Sequence, residues 1–348
     1  MTRMSVAAVE AEKEYLDRVR KYPDQVIWAH EDSVQEGFEF FESDIGMLQL
    51  VKDKFLSVGL RNIPRMVGLF ARYMPDMNRG RNECFTDLNE YLEGLEETGK
   101  LALPEQNSAL DENYPNTDLW EGLTGYAWKE WGVTLGFTEL ARQLIFKGKA
   151  VLFRYALVCI QEMDQEKIDL APKLDAGQEV QRVYVSLGLA VNDIARWLRH
   201  NHGVSCQSNH PLAGLVNTTP LAAKAGMGWQ GQNGLLITPQ YGQRQRIAPI
   251  LLKDRLFKFT DNGDHRWIEN FCETCRKCER ACPVQAIHHE RQPGIENIPG
   301  IDQTRTCIDR LKCYPQFSRT LGCSICIKVC PFSRGNDSYH TIQMYRVV

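Results

Sequence analysis

At 348 residues, with 43% hydrophobic and 24% charged residues, the chain has the composition of an ordinary globular protein long enough for a sizeable core and a smaller module. The net charge of -3 gives no footing for a polyanion partner, so nucleic-acid binding is not expected. The opening MTRMSVAAVEAEKEYLDRV has neither a sustained apolar stretch nor a twin-arginine pair, which predicts a cytoplasmic protein with no membrane association. Twelve cysteines, nine of them between Cys272 and Cys330, point to thiolate ligands rather than a disulfide scaffold.

From Ala7 to Gly99 the apolar spacing in FEFFESDIGMLQLVKDKFLSVGL and IPRMVGLFARYM predicts helices. PEQNSALDENYP, from Pro104 to Pro115, reads as a linker and puts a boundary near residue 110. KAVLFRYALVCIQEM, from Lys149 to Met163, is too continuously apolar for a surface helix and predicts a buried strand. A long helix follows over Gly177–His202, with Val180, Tyr184, Leu187, Ala190, Ile194, Trp197 and Leu198 on one stripe and Gly203 as its stop. A short strand near Val204, a helix over Pro220–Ala225, the glycine-rich turn Gly226 to Gly231, and strands at Leu235–Thr238 and Ile247–Leu252 complete an alternation that predicts an α/β sandwich.

The cysteine runs carry chemistry. Cys272-x2-Cys275-x2-Cys278-x3-Cys282-Pro283 is nearly repeated as Cys323-x2-Cys326-x3-Cys330-Pro331. In two-cluster ferredoxins the last cysteine of each run crosses to the neighbouring cluster. That rule assigns one 4Fe-4S cluster to Cys272, Cys275, Cys278 and Cys330, and the other to Cys282, Cys323 and Cys326 with a fourth thiolate from Cys307 or Cys313, Cys307 being favoured. Zinc is the competing occupant of short cysteine runs, but zinc ribbons have no need of the x2-x3-Pro spacing twice. Cys84, Cys159 and Cys206 stand alone and read as buried apolar thiols.

From Trp131 to Asp337 the chain resembles the cobalamin-dependent iron-sulfur reductases, the family of reductive dehalogenases and epoxyqueuosine reductases. The resemblance rests on FRYALVCIQEMD, VYVSLGLAVNDIARWLRHNHGV, PLAAKAGMGWQGQNGLLITPQYGQRQR, FCETCRKCERACPVQAI and GCSICIKVCPFS, in that order. It implies a nitroreductase-like, corrinoid-binding α/β core over 111–265, a bacterial ferredoxin-like module over 266–348 and a helical N-terminal region over 1–110. It further implies an oxidoreductase in which an external donor such as ferredoxin or flavodoxin feeds the clusters, and base-off cobalamin reduces a small organic substrate. A homodimer is compatible with this reading.

Trp229 in GMGWQGQNGLLI looks like the epoxyqueuosine reductases, whereas TPQYGQRQR and CPFS look like the dehalogenases. Val183 stands where the epoxyqueuosine reductases carry a catalytic aspartate, which weakens the tRNA-modifying alternative. The dehalogenase pattern makes Tyr184 the proton donor, assisted by Arg246 or Arg244, because a nearby cation stabilises the tyrosinate left behind. Asn209 falls where a polar pocket residue can stand, although Asn before His-Pro is also a turn former. Gly226, Gly228, Gly231 and Gly234 would let backbone approach the corrinoid closely. His200, His202 and His210 read as helix-end or surface histidines. The opposing class is an iron-sulfur electron-transfer protein that binds no corrinoid.

Overall fold

The structure, a computed structural model, describes residues 2–33, 63–98, 114–211, 214–261, 263–292, 296–298, 301–303, 306–320 and 322–345. The FEFFESDIGMLQLVKDKFLSVGL stretch and the boundary expected near residue 110 lie outside these residues. In chain order the first elements are α1 (Thr2–Val19), β1 (Ile27–Trp28), α2 (Ile63–Thr98), α3 (Thr117–Trp131), β2 (Val133–Glu139), β3 (Ala150–Val151) and β4 (Tyr155–Glu162). They are followed by α4 (Gln165–Ile168), α5 (Leu174–His202), β5 (Cys206–Ser208), α6 (Thr218–Lys224), β6 (Trp229–Gln230), β7 (Leu236–Ile237) and β8 (Gln245–Leu252). The C-terminal segment holds α7 (Trp267–Cys275), α8 (Lys277–Ala281), β9 (Ile287–Gln292), β10 (Glu296–Ile298), β11 (Ile301–Gln303), β12 (Thr306–Ile308), α9 (Arg310–Arg319), α10 (Ile325–Lys328) and α11 (Asn336–Tyr345).

The core is a four-stranded sheet in the order β2-β4-β8-β5, and every pairing in it is antiparallel. Helix and strand do mix as expected, but the strands do not form the parallel sheet that helix-strand alternation brings to mind. β4 explains why its sequence reads as continuously apolar. Its side chains alternate between two covered faces, as strand geometry requires. Ala156, Val158 and Ile160 join Leu251 under α1 and α2, whereas Tyr155, Leu157 and Cys159 join Ala248, Ile250 and Leu252 under α3 and α5.

Helix ends follow local chemistry. Asn116 caps α3 by accepting the Leu119 amide at 3.0 Å, and Gly132 ends it in the left-handed region at φ 61°. Gly203 ends α5 in the same way at φ 64°, as its sequence position predicts. On α5 the buried stripe runs through Val180, Val183, Leu187, Ala190, Val191, Ile194 and Leu198, which leaves Tyr184 and Trp197 half-buried at its edge.

The N-terminal helices share the core's packing. Tyr15 of α1 donates to Ala150 O at 3.0 Å and sits in the same apolar cluster as Phe85, Phe153 and Val158. Asn192 Nδ2 of α5 donates to Gly80 O of α2 at 2.7 Å, and Arg199 pairs with Asp87 at 2.9 Å. Cys84, Cys159 and Cys206 are buried, and burial raises each thiol.

His210 departs from its expected place. It is fully buried, against Gly188 of α5 and Gly80 of α2, where a Cβ on Gly188 would stand 2.0 Å from the imidazole Nε2. A surface assignment failed because these two glycines, distant in sequence, together make room for a ring. Burial, with Arg81 adding to it, pushes the His210 pKa down to about 3. The unfolded chain therefore takes up a proton that the folded chain refuses, and stability falls as pH drops below the ordinary imidazole range. Acidification from about pH 7.5 to about pH 5.5 is expected to cost roughly 1.4 kcal/mol through this residue. Urea titrations at the two pH values, with and without His210→Gln, read the difference, which the variant should remove.

Candidate iron-sulfur centres and the Tyr184 site

The two cysteine runs fold alike. One residue of each run takes the left-handed conformation, Arg276 at φ 46° between Cys275 and Cys278 and Ser324 at φ 55° between Cys323 and Cys326. Each turns the chain so that the next short helix starts at once, placing Cys278 on α8 and Cys326 on α10. Cys282 and Cys330 close those helices in extended backbone ahead of Pro283 and Pro331, with φ of -69° and -67°.

The thiols gather into two neighbouring groups. Burial first, then Cys272, Cys278 and Cys275, raise the Cys330 thiol. These four also line one cavity together with Gln243 and Phe271. The second group forms around Cys326, whose thiol is raised to about 11 by burial foremost, with Cys323 and Cys282 adding to it. Cys313, on α9, is raised to about 12 by burial and then by Cys326, Cys282 and Cys323. Among the described thiols Cys313 is thus the fourth beside this group, where the sequence reading favours Cys307. Cys307 lies on β12, paired with β9, and its side chain is outside the described residues. Cys278, raised to about 12 by burial and next by Cys326, feels both groups, so they abut. Thiols so crowded are unfavourable as free thiolates and suit a site whose iron neutralises them.

The segment docks on the core through the loop before β8. Gly242 turns there at φ 58°, and a Cβ would lie 2.2 Å from Phe332 O. His265 Nδ1 and the Tyr339 hydroxyl are 2.7 Å apart, and its Nε2 lies 3.2 Å from Gly226 O. Arg244, nearly fully buried, donates from Nε to Ser333 O at 2.6 Å and from Nη1 to Met163 O at 2.8 Å and Glu162 Oε1 at 2.6 Å. Its Nε and Nη1 join β4 to the cysteine segment, and Tyr184 is not among these partners. Arg244→Met should destabilise the protein by about 3 kcal/mol, since buried carbonyls lose a charged donor; a lowered thermal midpoint reads this.

Arg246 behaves differently. Its guanidinium carbon sits 4.6 Å from the centroid of the Tyr184 ring. It pairs across the sheet with Gln161, so both side chains leave the same face, toward α5. Gln161 donates to Ser186 Oγ at 2.9 Å and to Trp131 O at 2.6 Å, while Gln161 Oε1 and Arg246 Nε are buried with no hydrogen-bond partner among the described residues. Tyr184 and Cys326 pack against one buried cluster of Met163, Ile168, Val180, Val183 and Ile327. Tyr73, Met74 and Met77 of α2 cover Tyr184 from the other side.

The glycine turn is filled by the chain itself. A Cβ on Gly228 would lie 2.0 Å from Ile237 O, and one on Gly231 would lie 2.7 Å from Gln243 Nε2. Gly226 caps α6 at φ 67°, and Gly234 turns at φ 77° between β6 and β7. Gly228 and Gly231 thus make room for the protein's own backbone and for Gln243, whereas a Cβ on Gly234 would meet nothing nearer than 3.8 Å. Asn209 accepts the Leu215 amide on Oδ1 at 2.8 Å and so closes the loop after β5.

Residues 271–333 match the family described as a 4Fe-4S double cluster binding domain, the stretch that holds both thiol groups. The chain is 29% identical over 211 residues to a tetrachloroethene reductive dehalogenase of Desulfitobacterium hafniense, covering 57% of this chain and 35% of that protein. It is 34% identical over 157 residues to the tetrachloroethene reductive dehalogenase of Dehalobacter restrictus, covering 43% and 25% respectively. An epoxyqueuosine reductase of Listeria monocytogenes is 29% identical over 132 residues, covering 38% of this chain and 33% of that protein. The chain is a relative of the reductive dehalogenases and the epoxyqueuosine reductases. It spans only about a third or less of the dehalogenases it matches. The fold agrees with this kinship. The catabolic reductive dehalogenase NpRdhA in complex with 3-bromo-4-hydroxybenzoic acid superposes with a TM-score of 0.56 at 21% identity, over 67% of this chain and 34% of that one. A second reductive dehalogenase structure, described as suggesting a mechanism for B12-dependent dehalogenation, gives 0.55 at 19% identity, over 68% and 34%.

The sequence reading missed Asn233 and Gln243. Asn233 stands beside the Cys326 thiol, and it exchanges amide hydrogen bonds with Gln243 at 2.8 and 2.6 Å. Their only sequence signal is position, one within the glycine turn and the other just before β8.

Among the described residues no helix is long and apolar enough to cross a membrane.

Proposed function

We propose that the protein is an iron-sulfur oxidoreductase whose two 4Fe-4S clusters pass electrons one at a time to an acceptor beside Tyr184. The observation that carries this reading is the packing of Cys326 and Tyr184 against one buried cluster, which sets the second thiol group on the Tyr184 side. Cys272, Cys275, Cys278 and Cys330 hold the first cluster, and Cys282, Cys313, Cys323 and Cys326 hold the second. An external donor such as ferredoxin or flavodoxin reduces them.

Reductive cleavage of an organic substrate consumes two electrons and a proton. Tyr184 Oη releases that proton to the reduced substrate, and solvent later restores it. Arg246, held over the ring, favours the tyrosinate formed in between because its positive charge faces the new negative one. The unpartnered Gln161 Oε1 and Arg246 Nε supply an acceptor and a donor at the same place. The apolar cover of α2 keeps bulk water from the ring.

In the finer form of this reading the acceptor is base-off cobalamin, which supplies a strongly reducing cobalt centre when bound. The core is then nitroreductase-like, and the protein acts in the cytoplasm on a small organic molecule as a monomer or homodimer. Kinship with the dehalogenases supports the corrinoid; the glycine turn does not. The inward contacts of Gly228 and Gly231 favour a second reading, an iron-sulfur electron carrier without a corrinoid. A transfer-RNA substrate is disfavoured by Val183 in place of the aspartate. Titrating anaerobic protein with cobalamin separates the first two. A base-off absorption band with one cobalt per chain supports the corrinoid reductase, and an unchanged spectrum leaves the carrier.

A further inference from the structure

We infer that Asn233 and Gln243 form a positioning pair that raises the reduction potential of the cluster held by Cys326 relative to its neighbour. The inference rests on the proposed cluster assignment. The Asn233 carboxamide stands beside the Cys326 thiol. Its carboxamide cannot turn away. Asn233 Nδ2 donates to Gln243 Oε1 at 2.8 Å, Gln243 Nε2 donates back to Asn233 Oδ1 at 2.6 Å, and the Leu235 amide reaches Asn233 Oδ1 at 3.3 Å. With Asn233 Oδ1 accepting from these groups, its amide nitrogen is left to face Gln243 and the cysteine.

The second half of the pair is fixed just as firmly. Gln243 lies on the wall of the cavity formed by Cys272, Cys275, Cys278 and Cys330, so the pair stands between the two thiol groups. Its place exists because residue 231 is glycine, since a Cβ there would come within 2.7 Å of Gln243 Nε2. The Gln243 amide also faces Ser333 Oγ at 3.4 Å, within the segment that docks on the core. Both side chains are almost wholly buried, where a hydrogen bond to sulfur acts with little screening.

Adding one electron makes a cluster more negative, and a donor aimed at its thiolate stabilises that state. Asn233 therefore biases electrons toward the cluster on the Tyr184 side. Gln243 acts through Asn233 by holding it in that orientation.

The test is a potentiometric titration of the full chain, purified anaerobically with its clusters and followed by electron paramagnetic resonance. In Asn233→Leu one of the two midpoints should move to more negative potential while the other holds. Gln243→Leu should shift the same midpoint in the same direction by less. Asn233→Ser, a milder change at the same position, should show the same sign and serves if the leucine variant loses iron. Unchanged midpoints, equal shifts of both, or a positive shift in protein retaining about eight irons would overturn the inference alone. Wild-type protein without iron would overturn it together with the cluster assignment.

Discussion

Tyr184→Phe is expected to lower turnover by about 10²- to 10⁴-fold, the usual weight of a positioned proton donor, while both clusters remain. The substitution removes one hydroxyl and leaves the ring between α2, Arg246 and the cysteine segment, so folding and iron content should hold. Steady-state reduction of a substrate, with electrons supplied in excess, reads the loss. Arg246→Gln should act in the same direction and more weakly, because it removes the cation over the ring and keeps the hydroxyl. A protein that only carries electrons would be indifferent to Tyr184→Phe, and turnover unaltered by it would remove Tyr184 from the chemistry.

Cys313→Ala should cut iron from about eight to about four per chain, and Cys307→Ala should leave about eight. Cys282, Cys323 and Cys326 each influence the Cys313 thiol, which α9 carries into their group. Iron retained in Cys313→Ala and lost in Cys307→Ala would restore the assignment that sequence spacing favours. Partial loading with a three-iron signal in Cys313→Ala would agree with Cys313 as the fourth ligand, since three thiolates can still hold a cluster lacking one iron.

Local spacing made the cysteine runs legible. Two left-handed residues and two pre-proline cysteines repeat at matching positions, so the sequence duplication becomes a backbone duplication. Cys313 was harder to choose because nothing in local spacing separates it from Cys307, and only the packing of α9 brings Cys313 to Cys282, Cys323 and Cys326. Arg246 was readable as a partner for Tyr184 by strand parity, since it shares the face of Ala248, Ile250 and Leu252. Arg244 has the same parity but precedes the strand, and the loop turns it to Ser333 instead. The glycine turn was legible as a place of close approach but not as to what approaches. Glycine marks a close approach without saying by what, and at Gly228 and Gly231 the neighbours are the protein's own β7 and Gln243. The antiparallel sheet was hidden because helices cover both faces of β4, which removes the polar alternation that would have revealed it.

The most direct test of the account is iron, sulfide and zinc analysis of anaerobically purified protein, joined to electron paramagnetic resonance of the dithionite-reduced form. About eight irons, a matching amount of sulfide and the coupled signals of two reduced 4Fe-4S clusters are expected. Zinc in place of iron, or iron and signals for a single cluster, would contradict a two-cluster path to Tyr184.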